Sequence, residues 1–162
     1  MSYLINALVI GAGATAVMDA WGIARKTLLG IAPPDYRMLG RWIGHMPRGR
    51  FRHDAITKAP PVRGERWIGW TAHYLTGIAF AAGLVAFCGD AWLRDPSIGP
   101  AMLTGIVTVA APFLLMQPGM GAGIAASRTP RPGTARIQSL INHAVFGLGL
   151  YAAGWAARFL VN

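Results

Sequence analysis

The sequence predicts an all-α membrane protein: a four-transmembrane-helix antiparallel bundle with an interfacial amphipathic helix in its first cytoplasmic loop. Three observations predict it. Hydrophobic residues make up 54% of the 162 and charged residues only 13%, with a mean hydropathy of +0.41, against roughly 25% charged residues in a soluble domain. Four apolar stretches reach the length of about 20 helical residues that crosses a hydrocarbon core. The positive charge is concentrated in alternate loops, with only Arg94 and Arg158 elsewhere. Ten of the fifteen Lys/Arg lie from Arg25 to Arg66, and Arg128, Arg131 and Arg136 form a second group.

The same numbers exclude other classes. Disordered chains are poor in apolar residues, and a lone Cys88 cannot build a disulfide scaffold. A net charge of +9 and a pI near 11.1 would fit a nucleic-acid partner. The segregation of that charge into loops is instead the positive-inside pattern, so no nucleic acid is expected. The length fits a single integral domain over 1–162.

The first crossing is expected from Tyr3 to about Ala24, residues 3–24, ending at Arg25-Lys26. Met-Ser-Tyr-Leu supplies no basic region of the kind that opens a signal peptide, so the segment is read as a mature helix. The basic loop 25–66 follows. Within it a Pro-Pro pair and then Asp35, a helix-capping residue, precede Met38, Leu39, Trp42 and Met46 on one helical face. Arg37 and Arg41 flank that face, which suits a short helix in the headgroup layer. Arg48, Arg50, Arg52 and His53 form a cationic patch. Anionic lipid headgroups would contact Arg37, Arg41, Arg48, Arg50 and Arg52, at about 1 kcal/mol per basic residue near the surface.

The second crossing is expected over 67–88, followed by a short turn Gly89–Gly99. The third, 100–117, opens at Pro100, a favoured first-turn residue. Pro112 should kink it and Pro118-Gly119 should end or bend it. The second basic loop, 118–136, carries Gly119, Gly121 and Gly123 at alternate positions, but neither a Rossmann nor a Walker context surrounds them. The fourth crossing is expected over 137–161. Both basic loops then face the cytoplasm, and both termini the other side. Trp21, Trp67 and Trp70 fall at the cytoplasmic boundary and Trp92 and Trp155 at the opposite one, as in an interfacial belt.

Ionisable residues inside a crossing are costly and mark candidate sites. Asp19 lies six residues before Arg25, His73 seven after Arg66, and His143 seven after Arg136. At 1.5 Å rise per residue all three fall about 9–11 Å inside the cytoplasmic boundary. Gln117 joins them if the third helix ends within the bilayer. Asp19, His73 and His143 each occupy a stripe rich in small residues: Ala12, Thr15, Ala16, Asp19 and Gly22; His73, Thr76, Gly77, Phe80 and Ala81; Ser139, His143, Gly147, Leu150 and Gly154. Small residues mark close helix packing.

The cluster admits four readings: a hydrogen-bonded core, a divalent metal on two imidazoles and a carboxylate, haem with His73 and His143 as axial ligands, or a proton or ion pathway. Met116 and Met120 on one face, with Met18, would suit copper(I) as soft ligands, but packing filler is the commoner use of methionine, and His45 and His53 are expected to be exposed and solvated. No Ser-His-Asp spacing, nucleophile elbow or HExxH occurs, and the reading leans away from an enzyme. It favours a binding protein for metal or haem. The alternatives are an accessory or self-assembling subunit (a homo-oligomer or part of a larger membrane complex) and a small transporter or proton-linked permease.

Gly40-Arg41-Trp42-Ile43-Gly44-His45-Met46, Gly69-Trp70-Thr71-Ala72-His73-Tyr74, Met116-Gln117-Pro118-Gly119-Met120-Gly121 and His143-Ala144-Val145-Phe146-Gly147 run through nearly the whole chain. Together they resemble domain-of-unknown-function family 2938, small bacterial inner-membrane proteins. The resemblance implies that location and supplies no catalytic role.

Overall fold

The long apolar runs fold as helices. The structure, a computed structural model, describes residues 3–161. Met1, Ser2 and Asn162, the ends placed on the non-cytoplasmic side by the sequence, lie outside the described residues. Helix α1 spans Tyr3–Leu29, α2 Tyr36–His45, α3 Glu65–Arg94, α4 Ile98–Val107, α5 Gln117–Gly119 and α6 Pro132–Val161. Short 3-10 turns occupy Met46–Arg48, Ile56–Lys58 and Ile124–Ala126. No strand occurs among the described residues. Four helical stretches are long and apolar enough to cross a membrane: Tyr3–Leu29, Glu65–Arg94, Ile98–Gly119 and Pro132–Phe159.

These helices outrun the apolar stretches that announce them. α1 continues through Arg25 and Lys26, α3 starts at Glu65 and runs to Arg94, and α6 starts at Pro132. Charged residues interrupt hydropathy without interrupting backbone hydrogen bonding. The expected turn Gly89–Gly99 shrinks to the segment 95–97. Gly89 adopts φ 63°, ψ −164°, a bend that glycine tolerates, and the helix resumes beyond it. Pro112 acts as expected. With no amide hydrogen to give, it opens a wide π turn over Pro112–Met116, closed by the Gln117 N–H donating to the Pro112 carbonyl.

The chain divides into two compact units. The first comprises Met1–Pro33, Tyr74–Thr108 and Ile141–Asn162, the second Pro34–His73 and Val109–Leu140. The core of the first unit draws on α1, α3, α4 and α6: Ile10, Ala14, Ala81, Leu84, Val85, Trp92, Ala101, Phe146, Leu150 and Ala157. Trp92 is therefore a core residue and not part of an interfacial belt. It is 4% exposed, lies against Gly154, and its Nε1–H donates to the Ser97 carbonyl at 3.0 Å. Around this core Leu4, Phe87 and Leu103 stay exposed.

The second unit is organised by α2. The Asp35 carboxylate accepts from the Arg37 amide and caps the helix as its residue type dictates. A Cβ on Gly40 would meet the Glu65 carbonyl, and one on Gly69 the Tyr36 carbonyl, so α2 lies on the first turns of α3 with backbone against backbone. Arg41 fixes the pairing. Its guanidinium bonds both Glu65 carboxylate oxygens at 2.8 and 2.9 Å and the Ala59 carbonyl at 3.1 Å.

Candidate functional site

In the first unit the polar residues carried by apolar helices meet hydroxyls and carbonyls. Asp19 Oδ2 accepts from the Tyr74 hydroxyl at 3.0 Å. His143 Nδ1 lies 3.1 Å from Thr108 Oγ1 and 3.2 Å from the Gly105 carbonyl. A carbonyl only accepts, so Nδ1 carries the proton. Thr108 Oγ1 also donates to the Gly105 carbonyl at 2.7 Å, which closes a three-membered network between α4 and α6. The backbones approach closely here, since a Cβ on Gly105 would come within 2.5 Å of the His143 carbonyl.

The glycines of the small-residue stripes lie against neighbouring groups, while Thr76 of the second stripe is exposed. Gly22 packs against Pro33, Gly77 against Thr15, Gly147 against Ala101 and Met102, and Gly154 against Trp92. The buried face of α1 instead runs through Ile10, Gly11, Ala14, Thr15, Gly22 and Arg25, which leaves Ala16 exposed and Asp19 at its edge.

In the second unit His73 sits among aromatics. Its ring stacks on Tyr36 at 4.0 Å and meets Trp70 edge-on at 6.0 Å. Gln117 follows the π turn with its Oε1 buried and without a hydrogen-bond partner among the described residues. Of the five arginines assigned to headgroups, Arg37 pairs with Asp35 and Arg41 with Glu65. The Asp35 carboxyl is held below its ordinary range chiefly by its hydrogen bond from the Arg37 guanidinium. Arg48, Arg50 and Arg52 are exposed, together with Phe51 at 59%.

His45 departs from expectation. It is 3% exposed because its Nε2–H reaches the Pro60 carbonyl at 3.0 Å, drawing the ring under the following loop. The His53 ring lies 5.1 Å away, edge-on. His45 Nδ1 and His53 Nε2 are both buried without a partner among the described residues, a pair that the arginines around them in sequence had concealed.

Among the described residues no three of His, Cys, Asp and Glu form a group able to hold a metal ion. The arrangement therefore offers hydrogen-bonded ties between helices and no assembled coordination shell. A family model described as protein of unknown function (DUF2938) matches residues 8–157. The chain belongs to this family. No curated protein and no solved structure matches it. The match covers every polar residue just described, so the ties of this DUF2938 chain lie within the family's own domain.

Proposed function

We propose that this DUF2938 chain is a multi-pass protein of the bacterial inner membrane acting as a structural or accessory subunit. In this reading its basic loops face the cytoplasm, and Asp19 and His143 lock its helices together. One observation carries the reading: both side chains are engaged by hydroxyl or carbonyl partners on neighbouring helices, which is how buried polar groups avoid the cost of an apolar medium. Exposed Arg48, Arg50 and Arg52 meet anionic headgroups, while Arg37 and Arg41 serve the protein itself.

The test is purification in detergent, with sizing, metal analysis and an absorption spectrum on the same sample. A defined oligomer or a stoichiometric co-purifying partner, without bound metal or a Soret band, is the expected result. Stoichiometric metal or haem that disappears in His73→Ala and His143→Ala would overturn the reading in favour of a cofactor-binding protein.

A further inference from the structure

Arg25 is the one charged side chain among the described residues that is buried as deeply as the core, at 4% exposed. Where Arg37 pairs with Asp35, Arg41 with Glu65 and Arg158 with Asp95, Arg25 meets no carboxylate among the described residues. What it has is neutral and long. One terminal nitrogen donates to Asn142 Oδ1 at 3.3 Å and the other to the Ala32 carbonyl at 3.4 Å. Its Nε–H is buried with no acceptor among the described residues, and so is the indole N–H of Trp21.

Trp21 and Arg25 are four residues apart on α1, which places them on one face a turn apart. A guanidinium withdrawn from water without a counter-charge is a costly arrangement. Two unsatisfied N–H donors on the same face as that charge describe what is missing: an anion with several acceptor oxygens. Guanidinium suits phosphate oxygens through its fork of donors, and the indole N–H adds a neutral donor beside it. The loop after α1 supplies the cover, since Gly22 packs against Pro33 and Ala32 holds the guanidinium only at 3.4 Å. An entering anion replaces that bond.

We propose that Arg25 and Trp21 form a binding seat for one phosphate group, from an anionic phospholipid or a soluble phosphate. The lipid source rests on the bilayer reading above, because it needs α1 to end at headgroup depth. The soluble source does not.

The test uses full-length protein in neutral detergent with Arg48, Arg50 and Arg52 changed to Gln, which removes surface attraction for anions. Phosphatidylglycerol, phosphatidylcholine and inorganic phosphate are added separately. Thermal unfolding and native mass spectrometry then read binding. The expected result is one retained anion and a raised midpoint with phosphatidylglycerol or inorganic phosphate, the responding arm naming the source. Affinity should fall about tenfold in Trp21→Phe and be lost in Arg25→Gln, while Arg25→Gln without anion unfolds at the same or a higher temperature. Binding unchanged by both variants, no binding of any of the three, or an anion-free Arg25→Gln protein that unfolds well below the parent would each overturn the seat. Recovery of the protein without detergent would count against the bilayer reading alone, and the inorganic phosphate arm would still judge the seat.

Discussion

Tyr74 and Asp19 join α3 to α1 through one hydroxyl–carboxylate bond of 3.0 Å. Removing the hydroxyl deprives the acid of a donor in a medium that supplies few others. Side-chain hydrogen bonds between membrane helices average about 0.6 kcal/mol and reach about 1.7. Tyr74→Phe should therefore lower stability by about 1 kcal/mol, seen as a lower unfolding midpoint in detergent. A midpoint unchanged in Tyr74→Phe would mean the bond contributes nothing. Asp19 and His143 were legible in the sequence because ionisable residues stand out in an apolar run. Arg25 was not. An arginine ending an apolar stretch reads as a stop facing water, whereas here Ala32 of the following loop and Asn142 of α6 bond its guanidinium, contacts that depend on the course of the chain beyond the helix.

Helix α2 depends on two positions that lack a side chain. Gly40 and Gly69 let it rest on α3 without an intervening layer, so Gly69→Val should lift α2 away. Hydrogen exchange over residues 36–45 should then rise sharply while the long helices keep their protection. Equal protection in parent and variant would refute this account. The loop after α2 carries a pH response. Burial first, then the charges of His45 and Arg50, push the His53 imidazole below its ordinary 6.5, against the opposing Arg50 backbone hydrogen bond and the Asp54 charge. The native state therefore favours neutral His53, and the unfolded chain takes up the proton first. Its stabilising contribution is complete above about pH 6.5 and is lost as pH falls through that value toward the lowered one. Protease resistance of residues 45–60 should decline on mild acidification, and His53→Gln should flatten the decline. The start of α2 was readable from Asp35 alone, because a short side chain with an acceptor oxygen stops the backbone at a defined place. The close contact with α3 was not, since a glycine in sequence does not say what approaches it.

At the level of the molecule, the proposed topology of four spans and two cytoplasmic basic loops can be checked directly. In a Cys88→Ala background, Arg50→Cys should react with a membrane-impermeant maleimide only in inverted vesicles, and Ser97→Cys only in intact spheroplasts. The reverse pattern would invert the orientation. Helix number was legible because hydropathy over twenty residues is a strong signal. Helix ends were not, because Glu65, Arg94 and Pro132 lie beyond the apolar runs while their backbones stay helical. Convergence of Asp19, His73 and His143 on one metal was argued from a shared depth and from small-residue faces. Neither fixes the distance between side chains, and the described residues hold no three-ligand group.

The π turn at Pro112–Met116 holds one residue more than an ordinary turn of helix, with Gln117 bonded five positions back. That surplus gives the third span a place where its length can change. Deleting one residue there should let the chain close into standard helical winding, whereas the same deletion inside Ile98–Val107 would rotate Gly105 off His143. Slack in chain length is stored at a single proline, and the side chain aimed by that slack is Gln117.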